Sequence, residues 1–269
     1  MFRYKLFRLS LIFIALFLII GCGADEESVE NEVTKPLSET IPPNYYPDSI
    51  GSRWVYRSPS GFQWTREVTG KKAIAGQVYR VFDYIPPRDD SGFDFLKTPS
   101  YRITRNRVFF FVGGEVDQSV KRNLSESLER QFADAGNIRV NVIAASQSNL
   151  TFFRIPPFPG QKWEVLDMRI TGNVVFLDLA NFKLRFEINW VITGFVDRKE
   201  TVETPAGTFP DSFKVQYSTK VTTLVEGEEE TSRDELETVW LAPDVGMVKI
   251  EDEDGVTELI EYQISDLQE

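Results

Sequence analysis

From Tyr45 onward, apolar and polar side chains alternate with a period of two, the mark of strands with one buried face. The clearest run is Phe182–Ile192. There Phe182, Leu184, Phe186, Ile188, Trp190 and Ile192 share one face, and Lys183, Arg185, Glu187 and Asn189 share the other. Phe213–Val225 repeats the pattern. Shorter runs cover Ser52–Arg57, Gln63–Val68, Gln77–Tyr84, Tyr101–Thr104, Val108–Val112, Trp163–Thr171, Asn173–Leu179, Leu236–Leu241, Gly246–Glu251 and Thr257–Ile264. Turn signals separate them at Ser60-Gly61, Gly113-Gly114, Thr171-Gly172-Asn173 and Asp254-Gly255. One segment departs from this pattern. Val116, Val120, Leu124, Leu128 and Phe132 recur every four residues, which predicts an amphipathic helix over Val116–Phe132. Asp117 or Ser119 is placed to cap its start, and Gly136 to end it. The expected fold is mainly β: a large curled antiparallel sheet, half-barrel-like, with its apolar side concave and one covering helix.

The first 44 residues read differently. Arg3, Lys5 and Arg8 precede the apolar run Leu9–Ile20, which is too short to span a bilayer but has the length of a signal-peptide core. Leu18-Ile19-Ile20-Gly21-Cys22 follows and contains the chain's single cysteine. This stretch resembles the lipobox of bacterial lipoproteins. The resemblance implies a signal peptide over 1–21, cleavage before Cys22, and lipid attachment at Cys22, palmitate included. The same resemblance implies, from Gly23 after the cysteine, placement at the outer membrane, with the domain facing the periplasm or the cell surface. Gly23–Asn44 carries six acids, one Lys, three Pro and no aromatic, and reads as a disordered acidic tether. A β-rich domain over 45–268 is expected to follow.

Composition narrows the chemistry. The chain has 269 residues, no His and a formal charge of −11. Loss of a leader with three bases and no acid takes the mature chain to −14. Such a charge argues against nucleic-acid binding and against attraction to an anionic membrane. Without His there is no Ser-His-Asp site and no His-ligated metal. The sequence also lacks G-x-S-x-G, S-x-x-K and Gly-rich phosphate-loop motifs. We therefore expect no enzymatic activity, no metal and no cofactor. Asp252, Asp254, Gly255 and Glu261 fall at calcium-loop spacings, but Ile250 stands where the first ligand belongs. An Asp-Gly hairpin is the better reading.

Some segments echo each other. Pro47-x-x-x-Gly51-x-x-Trp54 recurs as Pro156-x-x-x-Gly160-x-x-Trp163, and each is followed by a strand ending in Val68-Thr69-Gly70 or Ile192-Thr193-Gly194. This order suggests two related β-halves, 45–155 and 156–268. Three further segments carry a family resemblance. They are Tyr46-Pro47 with Gly51, Trp54 and Tyr56; Pro205-Ala206-Gly207-Thr208-Phe209; and Trp240-Leu241-Ala242-Pro243-Asp244-Val245-Gly246. In this order they resemble bacterial envelope lipoproteins of uncharacterised function, which usually have Gly where this chain has Asp244. A more distant likeness of those proteins is to lipoprotein carriers of the LolA and LolB kind. The motif residues themselves read as turn and packing residues.

Aromatics give the one positive hint of a ligand. Phe109-Phe110-Phe111, Phe152-Phe153 and Phe158, with the helix, could line a cavity for an apolar molecule. The sequence thus points to a membrane-anchored, non-enzymatic lipoprotein that binds an apolar ligand or envelope component in its sheet. The alternative is an accessory or scaffold subunit that binds another envelope protein.

Overall fold

The computed structural model describes residues 42–87, 98–113, 115–145 and 149–265. The leader, Cys22 and most of the tether lie outside them. Thirteen strands form one sheet: β1 (Arg53–Arg57), β2 (Gln63–Ile74), β3 (Gln77–Ile85), β4 (Ser100–Ile103), β5 (Arg107–Phe111), β6 (Ile138–Ala145), β7 (Asn149–Arg154), β8 (Lys162–Phe176), β9 (Phe182–Thr204), β10 (Gly207–Val225), β11 (Thr231–Ala242), β12 (Gly246–Asp252) and β13 (Gly255–Gln263). Their order across the sheet is β6-β8-β9-β10-β11-β12-β13-β1-β2-β3-β4-β5-β7, and every pairing is antiparallel. The seam β13–β1 joins the beginning of the described chain to its end. The sheet curls but does not close, because β6 and β7 are its two edges among the described residues.

The helix α1 (Glu115–Gln131) follows β5 and packs against β6. Val116, Val120, Leu124 and Leu128 are all buried in the core, as the four-residue spacing predicts. Phe132 lies edge-on to Phe176 of β8, with ring centroids 5.3 Å apart. The helix starts at Glu115, so Asp117 and Ser119 sit inside its first turns and not at the N-cap position. A short 3-10 turn over Ala133–Ala135 leads to Gly136, whose φ of 90° stops the helical path.

Two strand expectations need correction. Thr171-Gly172-Asn173 is not a turn, and β8 runs through it without a break. Gly172 is there for space: a Cβ would lie 2.3 Å from Phe186 Cζ and 2.5 Å from the Asn141 carbonyl oxygen. The strands β6 and β7 were not anticipated. β6 alternates Ile138, Val140 and Val142 with Arg139, Asn141 and Ile143, and Ile143 on the outer side is 68% exposed. That exposed apolar residue blurs the polar face.

Candidate functional site

The interior of the curl is crossed by a layer of rings. Tyr101 on β4 lies 5.3 Å from Tyr46, 5.2 Å from Phe82, 5.1 Å from Phe110 and 5.5 Å from Phe152. Phe152 stacks on Tyr217 of β10 at 5.4 Å, and Tyr217 meets Trp163 of β8 at 6.1 Å. The rings reach from β3 across to β8. Two hydrogen bonds fasten the β7 edge to that far wall. Trp163 Nε1 donates to the Thr151 carbonyl at 3.0 Å, and the Tyr217 hydroxyl donates to the Phe152 carbonyl at 2.9 Å. Side chains thus hold the curl together where no strand ladder does. Burial pushes the Tyr46, Tyr56, Tyr101 and Tyr217 hydroxyls well above their ordinary range, so all four remain neutral donors.

A cation sits behind this layer. Arg66 on β2 is 5% exposed. Its guanidinium carbon lies over the rings of Phe82 (4.2 Å), Tyr46 (5.0 Å), Trp54 (5.5 Å) and Tyr101 (5.6 Å). Nη2 donates to the Tyr46 hydroxyl, while Nε has no hydrogen-bond partner. Burial favours losing the charge, but the surrounding tyrosine oxygens hold the pKa above its usual value. Hydropathy alternation alone does not single out Arg66. A signal was available, because it shares strand parity with Trp64 and Val68, on the buried side of the run Gln63–Val68.

An apolar strip occupies the far part of the concave face. Leu184, Phe186, Ile188, Trp190 and Ile192 of β9 stand in register beside Val174, Gly172, Ile170, Met168 and Leu166 of β8. Met168 and Ile170 are fully buried on the helix side, whereas the five β9 residues are all half-buried. On the other side, Val221 and Thr219 of β10 pair with Arg233 and Glu235 of β11. Arg233 Nε and Glu235 Oε1 form an ion pair at 2.7 Å, which gives the strip a charged border. Burial raises the Glu235 pKa even beside Arg233.

The expected aromatic cavity lining is only partly gathered here. Consecutive strand residues point to opposite faces, so Phe110 enters the ring layer while Phe109 and Phe111 lie on the other side. There they pack against Arg102 (4.6 Å) and Tyr79 (5.2 Å) respectively. Phe152 belongs to the interior, and Phe153 is fully buried against Trp163. Phe158 is 56% exposed and lines nothing.

The motif residues converge at one end of the sheet. Trp54 Nε1 donates to the Val245 carbonyl at 2.7 Å, and the Tyr56 hydroxyl donates to the Met247 carbonyl at 2.8 Å. Pro47 packs on Gly246, where a Cβ would come 3.1 Å from its ring. Asp244 sits at φ 59°, a conformation that favours Gly, and accepts the Asn44 amide at 2.8 Å. Phe209 is buried against Tyr262, and Ala206, between Pro205 and Gly207, donates its amide to the Leu259 carbonyl. Trp240 is held between Lys214 and Lys249, and its Nε1 donates to Glu200 at 2.6 Å. Pro243 is half-buried in the β11–β12 turn.

The echoed segments share one local geometry. Gly51 N bonds to the Val68 carbonyl at 2.8 Å, and Val68 N bonds back to the Ser52 carbonyl at 2.9 Å. Gly160 N bonds to the Val196 carbonyl at 2.8 Å, and Val196 N to the Gln161 carbonyl at 2.9 Å. Both glycines have positive φ, 89° and 84°. Pro156, which opens the second copy, is exposed. The Thr-Gly pairs are not equivalent. Gly194 lies directly under the Trp163 indole, whereas nothing stands within 4 Å of a Cβ on Gly70.

Residues 177–264 match the model of a DUF3108-like family. No curated protein matches the chain. Among solved structures, the chain is similar to a "putative lipoprotein" from Parabacteroides distasonis. The two share 15% identity with a TM-score of 0.38, covering 83% of this chain and 100% of that one. It is also similar to a "putative exported protein with YmcC-like fold" from Bacteroides fragilis, with 14% identity, a TM-score of 0.36, and coverage of 82% and 99%.

Proposed function

We propose that the chain is a non-enzymatic lipoprotein of the bacterial cell envelope that binds an apolar ligand or envelope component on its concave face. Its lipid anchor is Cys22, and the outer membrane is its site. The half-buried β9 strip Leu184–Ile192 carries this reading. A sheet that needed only a core would cover those five large side chains as fully as it covers Met168 and Ile170. The strip is apolar along its length and charged at its border, which suits an elongated apolar molecule.

Native mass spectrometry of the full chain, purified from membranes in mild detergent, tests the ligand. A bound lipid-sized mass is expected, and Ile188→Glu is expected to lose it without unfolding. A mass equal to the bare lipoprotein would overturn the reading. Metabolic labelling with an alkyne palmitate tests the anchor, and the label is expected to vanish in Cys22→Ser.

The scaffold reading has its own observation. Leu179 (58% exposed) and Phe182 (57% exposed) stand at the tip of the β8–β9 hairpin, clear of the interior. A photocrosslinker at Leu179 is expected to capture a defined envelope protein under that reading, and a uniform smear would count against it.

A further inference from the structure

Arg66 has an unusual setting. Removing a guanidinium from water costs several kcal/mol, and a buried arginine ordinarily recovers this from a carboxylate. Here no carboxylate among the described residues pairs with it. Asp48 is paired to Arg80 at 3.2 Å. Four ring faces and the Tyr46 and Tyr56 hydroxyls are the partners of Arg66, and its Nε–H is left over. Ring faces recover part of the cost, but they do not neutralise charge.

The position matters as much as the charge. Tyr46 and Tyr101 are members both of the Arg66 cage and of the ring layer that crosses the interior. Beyond that layer, past Phe152 and Tyr217, lies the wall formed by β8 to β10, where the apolar strip begins. An arginine with no carboxylate partner among the described residues therefore lies behind an aromatic screen, and the apolar strip begins on the far side of that screen. Tyr46 and Tyr101, both neutral, can donate to an anion once their rings turn aside.

We infer that the interior takes an amphiphile with one anionic head, a fatty carboxylate, whose head group pairs with Arg66 while its chain lies along the β9 strip. The inference rests on the apolar-ligand reading above and names the chemistry of that ligand. The bidentate geometry of a guanidinium suits a planar carboxylate, and the free Nε–H supplies one of the two bonds.

The test compares dodecanoate, dodecyl phosphate, dodecanol and acetate by calorimetry on the delipidated full chain. Dodecanoate is expected to bind at least tenfold more tightly than dodecanol, and acetate alone not measurably. In Arg66→Met the preference is expected to vanish while dodecanol binding persists; Arg66→Lys is expected to retain part of it. Equal binding of dodecanoate and dodecanol in the unmodified chain overturns the role of Arg66 and leaves the apolar strip standing. Binding by none of the three long-chain compounds overturns both. Dodecyl phosphate outcompeting dodecanoate would replace the carboxylate with a phosphomonoester and overturn the assignment of head group. The comparison in the unmodified chain decides the matter even where Arg66→Met does not fold.

Discussion

The indole of Trp54 is bonded to the carbonyl of Val245, 191 residues further along the chain. Trp54 is 1% exposed, and the bond measures 2.7 Å. It ties the first strand to the β11–β12 turn. Trp54→Phe keeps most of the ring but orphans a buried carbonyl, an expected loss of about 1–3 kcal/mol. Trp54→Ala adds a cavity, for an expected loss of about 3–5 kcal/mol. Urea unfolding followed by far-UV circular dichroism gives both numbers, and a Trp54→Phe loss near zero would show the hydrogen bond to be idle.

Three glycines should respond differently to alanine. At Gly172 the new Cβ meets the Asn141 backbone oxygen at 2.5 Å, which cannot swing away. At Gly194 it meets the Trp163 indole at 2.2 Å, a ring pinned by its own hydrogen bond to Thr151. At Gly160 nothing lies within 4 Å, so only the positive φ is penalised, at about 1–2 kcal/mol. The expected order of melting temperatures is Gly160→Ala highest, with the other two well below. A Gly172→Ala protein as stable as the parent would refute the packing argument.

The Glu200 carboxylate contributes stability that depends on pH. It accepts from Trp240 Nε1 at 2.6 Å and Arg198 Nε at 2.7 Å. Burial works to raise its pKa, but these hydrogen bonds hold it below the usual carboxylate value. With the folded value lower than the unfolded one, the contribution is full above the unfolded pKa of about 4.3 and fades as pH falls through the folded value. Glu200→Gln is expected to cost about 1 kcal/mol at pH 7 and markedly less at pH 3. Denaturant titrations at the two pH values measure the difference, and a pH-independent gap would contradict it.

Asp244→Gly sets two effects against each other. Glycine relieves the strained φ of 59°, worth about 1 kcal/mol, but removes the acceptor for the Asn44 amide. Overall stability is expected to change by less than about 0.5 kcal/mol. The Asn44 amide, however, should exchange with deuterium faster, since its side-chain acceptor is gone. An unchanged exchange rate would mean that the Asp244 carboxylate does not hold it.

The alternation in Phe182–Ile192 was enough to find β9, because six large apolar residues on one face admit little else. The helix was equally plain from Val116 to Leu128. Gly172 misled for a physical reason: a glycine that makes a turn and one that yields to a neighbouring ring look the same in sequence. β6 was hidden because Ile143 is apolar on the outer face. The run Phe109-Phe110-Phe111 suggested a shared surface, which strand geometry then divided between two faces. Arg66 is the interior residue that local pattern hides most completely. A charge within a strand reads as solvated unless its parity with Trp64 and Val68 is given more weight than its polarity. The convergence of Trp54, Phe209 and Val245 depended on sheet order, and local pattern does not contain sheet order.

The β13–β1 pairing has a consequence for how the molecule is made. The strand nearest the tether can complete its ladder only when the last strand arrives, and Ser265 N then bonds to Ser52 Oγ at 3.1 Å. Contacts this distant in sequence make for slow folding. Until synthesis delivers the residues of β13, β1 has one neighbour and the sheet is two separate ribbons. A premature stop anywhere before Gly255 would therefore not trim an edge but remove a strand from the middle of the sheet. Such a truncated product, with two raw strand edges, is prone to edge-to-edge association.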